Sequence, residues 1–237
     1  MTTNLVTDNS LQAPNVSVII PAYKASKSIG ETFHSVFEQT FTDYEVIIVN
    51  DGSPDTEELE RVLEVYRSKI NYLKQENRGA AAARNAGLRI AEGELVAFRA
   101  SDDRWLPRYL EEQIEFLQER NSDVAYCDAL MLGDPKSAGR TYMELAPSRS
   151  AVTAESLLAV DVGIITSGVV VKKKLIHDVG LFDEGIRRGH DFDLWLRLAQ
   201  NGARFACHRK VLVHYTVLGQ GLSGDTISQL ERRLELL

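Results

Sequence analysis

The sequence predicts an α/β fold, in which a mostly parallel sheet is flanked by helices and followed by a smaller region. β-Branched apolar runs alternate with segments of helical hydrophobic spacing from about residue 15 to about residue 100. The helical segments have about ten or more residues, which suits right-handed crossovers between parallel strands. Clusters of Gly, Pro, Asn and Asp end several of the strands. With 237 residues, of which 44% are hydrophobic, the chain can bury one large core.

The first half of the chain supplies four predicted strands. The apolar run at 16–20, ended by Pro21, is typical of a strand buried on both faces. A helix follows it, because Ile29, Phe33 and Val36 recur at helical spacing. The same signals predict, in order, a strand at 44–49, a loop at 50–55, a helix at 59–66, a strand at 70–73, an alanine-rich helix at 79–91 and a strand at 95–98.

The second half has weaker patterns. The predicted elements are a helix at 106–120, strands at 123–127 and 167–171, a helix at 191–201 that ends at Gly202, and a final amphipathic helix at 227–237. Residues 132–153 are rich in Gly, Pro, Ser and charge, which predicts a loop or a small excursion. The polar residues 1–14 are predicted to be a disordered leader, and 15–237 a single domain.

The composition excludes several classes of protein. The net charge is −7, so no basic field attracts nucleic acid, and we expect no such partner. Cys127 and Cys207 lack neighbouring cysteines, which indicates small buried residues in a reducing compartment. No apolar run reaches the roughly 18 residues of a membrane span, and the leader lacks the order of a signal peptide. We expect a cytoplasmic protein, with a peripheral position at the membrane left open.

Polar or turn-forming residues follow three of the predicted strands. Pro21-Ala22-Tyr23 follows the first strand, Asp51-Gly52-Ser53 the second and Ser101-Asp102-Asp103 the fourth. Because ligands of open parallel sheets collect outside the carboxyl ends of the strands, these residues predict a ligand site. An Asp-Gly-Ser-Pro sequence is also typical of a plain turn, and that alternative stays open. No G-x-G-x-x-G follows the first strand, which argues against a dinucleotide oxidoreductase.

Several ordered blocks together resemble the family 2 glycosyltransferases of the GT-A fold over about residues 15–200. The blocks are Val16-Ser17-Val18-Ile19-Ile20-Pro21-Ala22-Tyr23, Asp43-Tyr44-Glu45-Val46-Ile47-Ile48-Val49-Asn50-Asp51-Gly52-Ser53, Asn77-Arg78-Gly79 running to Ala83-Arg84-Asn85-Ala86-Gly87, Ser101-Asp102-Asp103, Gly180-Leu181-Phe182-Asp183-Glu184 and Asp191-Phe192-Asp193-Leu194-Trp195-Leu196-Arg197. The combination is specific, whereas each block alone is a weak signal. The resemblance implies a nucleotide-binding half at 15–105 and an acceptor-side half at 106–237.

The resemblance implies an inverting transfer of a sugar from a nucleotide diphosphate, most often UDP, to a hydroxyl of a glycan or lipid-linked acceptor. Asp51 offers a carboxylate to an imide N–H of the base, and Arg84 offers a fork of donors. Without the motif, Arg84 would be interpreted as a solvated helix residue. The donor-binding residues are then Pro21, Ala22, Tyr23, Asp51, Ser53, Arg84, Ser101 and Asp102. The final helix would dock on its own sheet or on a second copy, so a homodimer stays open.

A divalent cation, Mg²⁺ or Mn²⁺, would neutralise the leaving diphosphate, and hard carboxylate oxygens would hold it. Asp102 is the candidate ligand, together with Asp103. The family usually has an apolar residue and an Asp where this chain has Arg99 and Ala100. Three interpretations follow. Asp102 and Asp103 still anchor the metal with the substrate phosphates, which we favour; Arg99 replaces part of the metal's charge; or the chain binds nucleotide-sugars without turnover.

The acceptor hydroxyl needs one base, and Asp191 matches the Asp of the family's Glu-Asp pair. Its position at the start of a helix also suits a plain N-cap. His190 replaces the preceding Glu, and we expect it either to change the acceptor geometry or to share the proton transfer. Tyr215-Thr216-Val217-Leu218 stands where the family often has an Arg and a His. His214 is a possible substitute, and Ser223 fits the closing loop.

Overall fold

The computed structural model describes residues 14–217 of the protein. They form one eight-stranded sheet with helices on both faces, so the predicted α/β class is confirmed. The strands are β1 (Val16–Ala22), β2 (Tyr44–Asp51), β3 (Asn71–Gln75), β4 (Leu95–Phe98), β5 (Arg104–Trp105), β6 (Val124–Leu132), β7 (Val169–Lys172) and β8 (Phe205–Thr216). The helices are α1 (Ile29–Phe37), α2 (Thr56–Leu63), α3 (Ala80–Ile90), α4 (Tyr109–Glu119), α5 (Tyr142–Leu145), α6 (Ala154–Leu158), α7 (Lys173–Asp178) and α8 (His190–Gln200).

The strand order of the sheet is β3-β2-β1-β4-β7-β6-β8-β5. The first four strands in this order are parallel, as the alternating pattern predicts. β7 then runs antiparallel to both β4 and β6, while β8 is parallel to β6 and antiparallel to β5. Strand β7 therefore enters the middle of the sheet beside the end of β4.

Each face of the sheet covers its own apolar core. Alternate residues of β1 point to opposite faces, so Val18 and Ile20 pack with α1 and α4, whereas Ile19 packs with α3 and α8. Helix α3 lies very close to the sheet at Gly87. A Cβ atom there would be 2.6 Å from Cγ2 of Ile19, so only glycine allows this approach.

The second half differs from its sequence prediction in several places. β6 continues to Leu132 and β8 has 12 residues, since the two pair along nearly their whole length. The predicted helix at 106–120 begins only at Tyr109, because the backbone N–H of Leu106 donates to Leu212 of β8. The region 132–153, for which the sequence predicts a loop or a small excursion, contains α5, and α6 follows at once. Helix α7 was missed.

The predicted leader up to residue 13, Ser223 and the final helix at 227–237 lie outside the described residues. Between residues 14 and 217, no helix has the length and apolar character needed to cross a membrane.

Candidate functional site

The carboxyl ends of β1 and β2 lie side by side at one edge of the sheet. Pro21 pairs with Val49 and Ala22 pairs with Asn50 in the parallel register. Both predicted nucleotide-binding turns therefore start at the same level. Tyr23, the next residue, is 46% exposed, so its ring is open to a ligand from solvent.

Asp51 is the buried last residue of β2, and its carboxylate is held by three hydrogen bonds. Oδ1 accepts from Nε2 of Gln75 (2.7 Å) and from the backbone N–H of Arg78 (2.9 Å). Oδ2 accepts from the backbone N–H of Gly79 (2.8 Å). Asp51, which is predicted to bind the nucleotide base, therefore also fixes the loop that leads into α3. Arg84 lies on that helix.

Ser53 joins the turn after β2 to the segment after β1. Its hydroxyl accepts a hydrogen bond of 2.6 Å from the backbone N–H of Lys24, and its own N–H donates to Oδ1 of Asn50 (2.9 Å). Lys24 has a φ of 53°, a left-handed conformation that the Ser53 contact helps to hold. The Asp-Gly-Ser-Pro sequence is therefore a turn, as the plain alternative predicted, and that turn is bound to the neighbouring strand end.

Two adjacent aspartates after β4 lie in different surroundings. Asp102 is partly exposed, and burial raises the pKa of its carboxyl group. Asp103 is fully buried: its carboxylate accepts from the hydroxyl of Ser167 and from the backbone N–H of Thr216 (2.9 Å). Burial, reinforced by the charge of Asp102, raises the pKa of Asp103 to about 7. Asp102 is the carboxylate that remains open to a ligand.

Arg99 lies under this loop on the α1 side of the sheet and is fully buried. Its Nη2 donates to Oγ of Ser35 (2.8 Å) and to the carbonyl oxygen of Asp103, and its guanidinium stacks 4.9 Å from the ring centroid of Trp105. Burial lowers its pKa to about 9. Because the guanidinium is enclosed by these groups, the placement argues against the alternative in which Arg99 contacts the diphosphate.

Arg84 and His190 meet on the opposite face of the sheet. Nη1 of Arg84 is 2.6 Å from Nε2 of His190, and both residues are buried. Burial and the neighbouring guanidinium lower the pKa of His190 to about 4. The imidazole is therefore neutral at pH 7 and accepts the hydrogen bond from Arg84. The interpretation of Arg84 as a solvated helix residue is wrong.

Asp191 follows His190 in the first turn of α8. Gly189, with a φ of 78°, occupies the cap position, so the N-cap interpretation of Asp191 is wrong. The hydroxyl of Thr166 donates to its Oδ2 (2.8 Å), and its own neighbour Phe192 donates a backbone N–H to Oδ1 (2.9 Å). Burial alone would raise the pKa of Asp191, but the hydrogen bonds from Thr166 and Phe192 and the positive charge of Arg84 lower it. Asp191 is therefore an ionised carboxylate at neutral pH.

Thr166 and Ser167 connect the two groups of acidic residues. Thr166 binds Asp191, and the next residue, Ser167, binds Asp103 and accepts from the backbone N–H of Ala100 (3.0 Å). They lie in a single 3₁₀ turn just before β7. The sequence prediction placed Ser167 inside a strand and missed both roles. The polar Thr-Ser-Gly triplet before a valine run was the available signal.

Ser101 and His214 are two further residues that the sequence singles out. The backbone carbonyl of Ser101 accepts a hydrogen bond of 2.9 Å from the hydroxyl of Thr32 on α1. His214 pairs with Arg104 of β5 in the sheet. The part of the chain that the structure describes contains no cluster of three His, Cys, Asp or Glu residues suited to a metal.

The fold is that of the GT-A glycosyltransferases. A crystal structure of TarS from S. aureus in complex with UDP superposes with a TM-score of 0.70 at 25% identity, covering 86% of this chain and 61% of that one. Residues 17–156 match the family described as "Glycosyl transferase family 2". The chain therefore belongs to glycosyl transferase family 2, as its sequence blocks predicted.

Its relatives are named glycosyltransferases. TuaG of Bacillus subtilis, a putative teichuronic acid biosynthesis glycosyltransferase, is 32% identical, covering 90% of this chain and 82% of the relative. WfgD of Escherichia coli, named as a UDP-Glc:alpha-D-GlcNAc-diphosphoundecaprenol beta-1,3-glucosyltransferase, is 29% identical, covering 94% and 85%. The chain spans only about a third of the length of uncharacterized glycosyltransferases from Rickettsia felis and Rickettsia conorii.

Proposed function

We propose that this chain transfers a sugar from a UDP-sugar to a hydroxyl of a glycan or lipid-linked acceptor, with inversion at the anomeric carbon. The observation that carries the proposal is the Thr166-Ser167 turn, which binds the candidate base Asp191 through one residue and the Asp102-Asp103 loop through the next. The donor class is supported by the UDP in the TarS structure and by the donor in the WfgD name.

Asp191 would take the proton of the acceptor hydroxyl. Its carboxylate is ionised, partly exposed and oriented by Thr166, which suits a base that must reach a substrate. The hydrogen bond to Oδ2 leaves further lone pairs on the carboxylate for the incoming proton. Inversion would require the acceptor to attack from the face of the sugar opposite the leaving diphosphate.

A divalent cation fits a site built on Asp102. Mg²⁺ commonly uses about one or two protein carboxylates and completes its shell with phosphates and water. Asp102 supplies one partly exposed carboxylate, whereas the Asp103 carboxylate is already engaged by Ser167 and Thr216. When bound, such a cation would neutralise the diphosphate leaving group. We propose Asp102 as its protein ligand and Asp103 as a buried support of the loop.

A second candidate function is a nucleotide-sugar-binding module without turnover. Ala100 removes a carboxylate that the family pattern has, and His190 replaces the Glu before the base. These two departures favour that alternative, whereas the ionised and accessible Asp191 favours an enzyme.

The test uses the full chain, a panel of nucleotide-sugars, and Mn²⁺ or a chelator. We expect UDP to raise the melting temperature, Mn²⁺ to increase this shift, and one donor to be hydrolysed slowly without acceptor. Asp191→Asn should bind UDP as well as the parent chain but lose about 10²-fold or more in turnover. Asp102→Asn should lose the effect of Mn²⁺. UDP binding with no turnover of any donor supports the binding module, and the absence of UDP binding refutes both functions.

A further inference from the structure

We infer that His190 is a positioning residue, whose neutral imidazole fixes the guanidinium of Arg84, a proposed donor-binding residue. The inference rests on the proposed function and deepens it. It replaces the expectation that His190 shares the proton transfer with Asp191.

The contact is a hydrogen bond that the Arg84 cation donates and the His190 imidazole accepts. Nη1 of Arg84 lies 2.6 Å from Nε2 of His190, and the guanidinium has no lone pair to offer. The imidazole must therefore accept at Nε2 and carry its hydrogen on Nδ1. A ring in this state has no free nitrogen lone pair left to take a proton from the acceptor hydroxyl.

Arg84 needs such an acceptor because its cation is buried. The pKa of Arg84 is lowered by burial, and the negative charge of Asp191 is the largest effect that opposes this. The guanidinium contacts Nε2 of His190 directly through Nη1, and its Nε atom is buried without a hydrogen-bond partner among residues 14–217. His190 is the acceptor that touches Arg84 directly, and a buried cation without any such partner is costly.

The ring of Phe182 packs against the side chains of both Arg84 and His190. Phe182 lies 5.7 Å from the guanidinium of Arg84 and meets the His190 ring edge-on at 5.8 Å. Phe182 is itself locked to α3, since its N–H and carbonyl exchange hydrogen bonds with the side chain of Asn85 (3.0 and 2.9 Å). His190 and Phe182 together leave the guanidinium little freedom to rotate.

A neutral acceptor also has a consequence for the donor. A Glu at position 190 would form an ion pair with Arg84 and cancel its charge, whereas a histidine orients the guanidinium and leaves its net charge in place. A cation kept in this way attracts the negatively charged donor nucleotide, in a chain that has Ala100 in place of one acidic residue. His190 and Ala100 would then act in the same direction, toward a more positive donor site.

The test is a double-mutant cycle read by UDP affinity. His190→Phe keeps an aromatic ring beside Phe182 and removes the acceptor, and Arg84→Met removes the cation. We expect each change to weaken UDP binding about tenfold to a hundredfold, and the double variant to be no weaker than Arg84→Met alone. His190→Gln, which offers an acceptor oxygen, should restore most of the affinity. His208→Phe, at another buried histidine on β8, is the matched control and should bind UDP normally.

The pH profile separates this role from proton transfer. A positioning role predicts that His190→Gln keeps the acid limb of the turnover profile and most of kcat, since Asp191 sets that limb. A proton-transfer role predicts a large loss of kcat in His190→Gln with unchanged UDP affinity, and this result would overturn the inference. Normal UDP affinity in His190→Phe would overturn it as well. Failure of the parent chain to bind UDP would instead refute the proposed function, and the inference with it.

Discussion

The carboxylate of Asp103 accepts a hydrogen bond of 2.9 Å from the backbone N–H of Thr216, although 113 residues separate the two in the chain. The same carboxylate accepts from Ser167, whose neighbour Thr166 binds Asp191. The end of β8, the turn before β7 and the loop after β4 are thus joined at one buried acidic group. We conclude that Asp103 holds together the segments that carry the candidate base and the candidate metal ligand.

The first prediction concerns the pH dependence of stability. Burial raises the pKa of Asp103 to about 7, whereas the pKa of an Asp in an unfolded chain is about 3.9. At pH values between these two pKa values, the Asp103 carboxyl group is deprotonated in the unfolded chain and protonated in the folded chain. This group's stabilising contribution is therefore complete below about pH 4 and lost as the pH rises through about 7. Asp103→Asn should remove this part of the pH dependence. The measurement is the free energy of unfolding at several pH values, from urea denaturation with a chelator present.

Asp123→Asn is the control, because the pKa of Asp123 shifts in the opposite direction. Burial opposes that shift, but hydrogen bonds from Arg204 and Lys172 lower its pKa. The parent chain should lose the contribution of Asp123 as the pH falls, so this variant should be less stable than the parent at neutral pH, and the difference should shrink at acid pH. An unchanged slope between about pH 4 and about pH 7 in Asp103→Asn would contradict the assignment.

The second prediction concerns Asp51, which has a structural and a proposed ligand-binding role. Asp51→Ala leaves the N–H groups of Arg78 and Gly79 without their acceptor, so we expect a loss of about 2 kcal/mol or more in the free energy of unfolding. UDP should no longer stabilise this variant. Asp51→Asn keeps one acceptor oxygen and should lose less stability, while still binding UDP weakly.

Glu57→Ala, an exposed position on α2, controls for the loss of one negative charge. Calorimetric titration with UDP and chemical denaturation of the three variants separate the two roles. A normal UDP-induced stabilisation of Asp51→Ala would contradict the predicted base-binding slot.

The centre of the parallel half of the sheet was predictable from sequence, because β1 and β2 are β-branched runs with mostly buried residues on both faces, and Pro21 and Asp51 mark their ends. The strand ends then bring Pro21 and Asp51 to one edge by register alone. Thr166 and Ser167 were not predictable in this way. Their contacts depend on β7 entering the sheet antiparallel between β4 and β6, and no local pattern specifies that pairing.

The short helices α5 and α6 do have a local signal in the sequence, in their capping residues. Thr141 and Glu144 form a reciprocal capping box at the start of α5, and Thr153 and Ser156 do the same at α6. Helices of four or five residues carry too few turns for hydrophobic periodicity to appear. The capping residues, rather than the apolar spacing, identify them.

The third prediction concerns Arg99, whose guanidinium is buried against Trp105 and Ser35. Its Nε and Nη1 atoms are buried without a hydrogen-bond partner among residues 14–217, so part of the cost of burying this charge is not offset. The Asp103 carbonyl that Arg99 contacts also accepts from Thr32, so it keeps a partner. Arg99→Leu should therefore change the free energy of unfolding by less than about 1 kcal/mol and preserve UDP binding.

Arg99→Lys is the contrasting variant. Lysine keeps the charge but lacks the planar fork that stacks on Trp105, so it should be less stable than Arg99→Leu. Thermal unfolding with and without UDP and Mn²⁺ measures both effects. Loss of UDP binding in Arg99→Leu, with normal stability, would show that Arg99 acts on the diphosphate.

The fourth prediction concerns Glu184, which links the segment between α7 and α8 to helix α3 and to the loop before it. Its carboxylate accepts from Nη2 of Arg78 (2.6 Å), Nη2 of Arg89 (3.2 Å) and Nδ2 of Asn85 (3.0 Å). Arg78 also donates its backbone N–H to Asp51, so Glu184 holds the residue that orients Asp51. Glu184→Gln should weaken UDP binding severalfold and lower stability by about 1 kcal/mol or less, since the arginines are exposed.

Salt provides an independent check on Glu184. The contribution of partly exposed ion pairs falls as ionic strength rises, so the difference between the parent chain and Glu184→Gln should shrink at about 1 M salt. Glu38→Gln removes an exposed carboxylate that pairs with His34 on α1, remote from these contacts, and should leave UDP affinity unchanged. If the two variants bound UDP equally well at low salt, the link from Glu184 through Arg78 to Asp51 would be wrong. A selective loss in Glu184→Gln that salt reduces would establish that this ion-pair group orients the nucleotide-binding carboxylate.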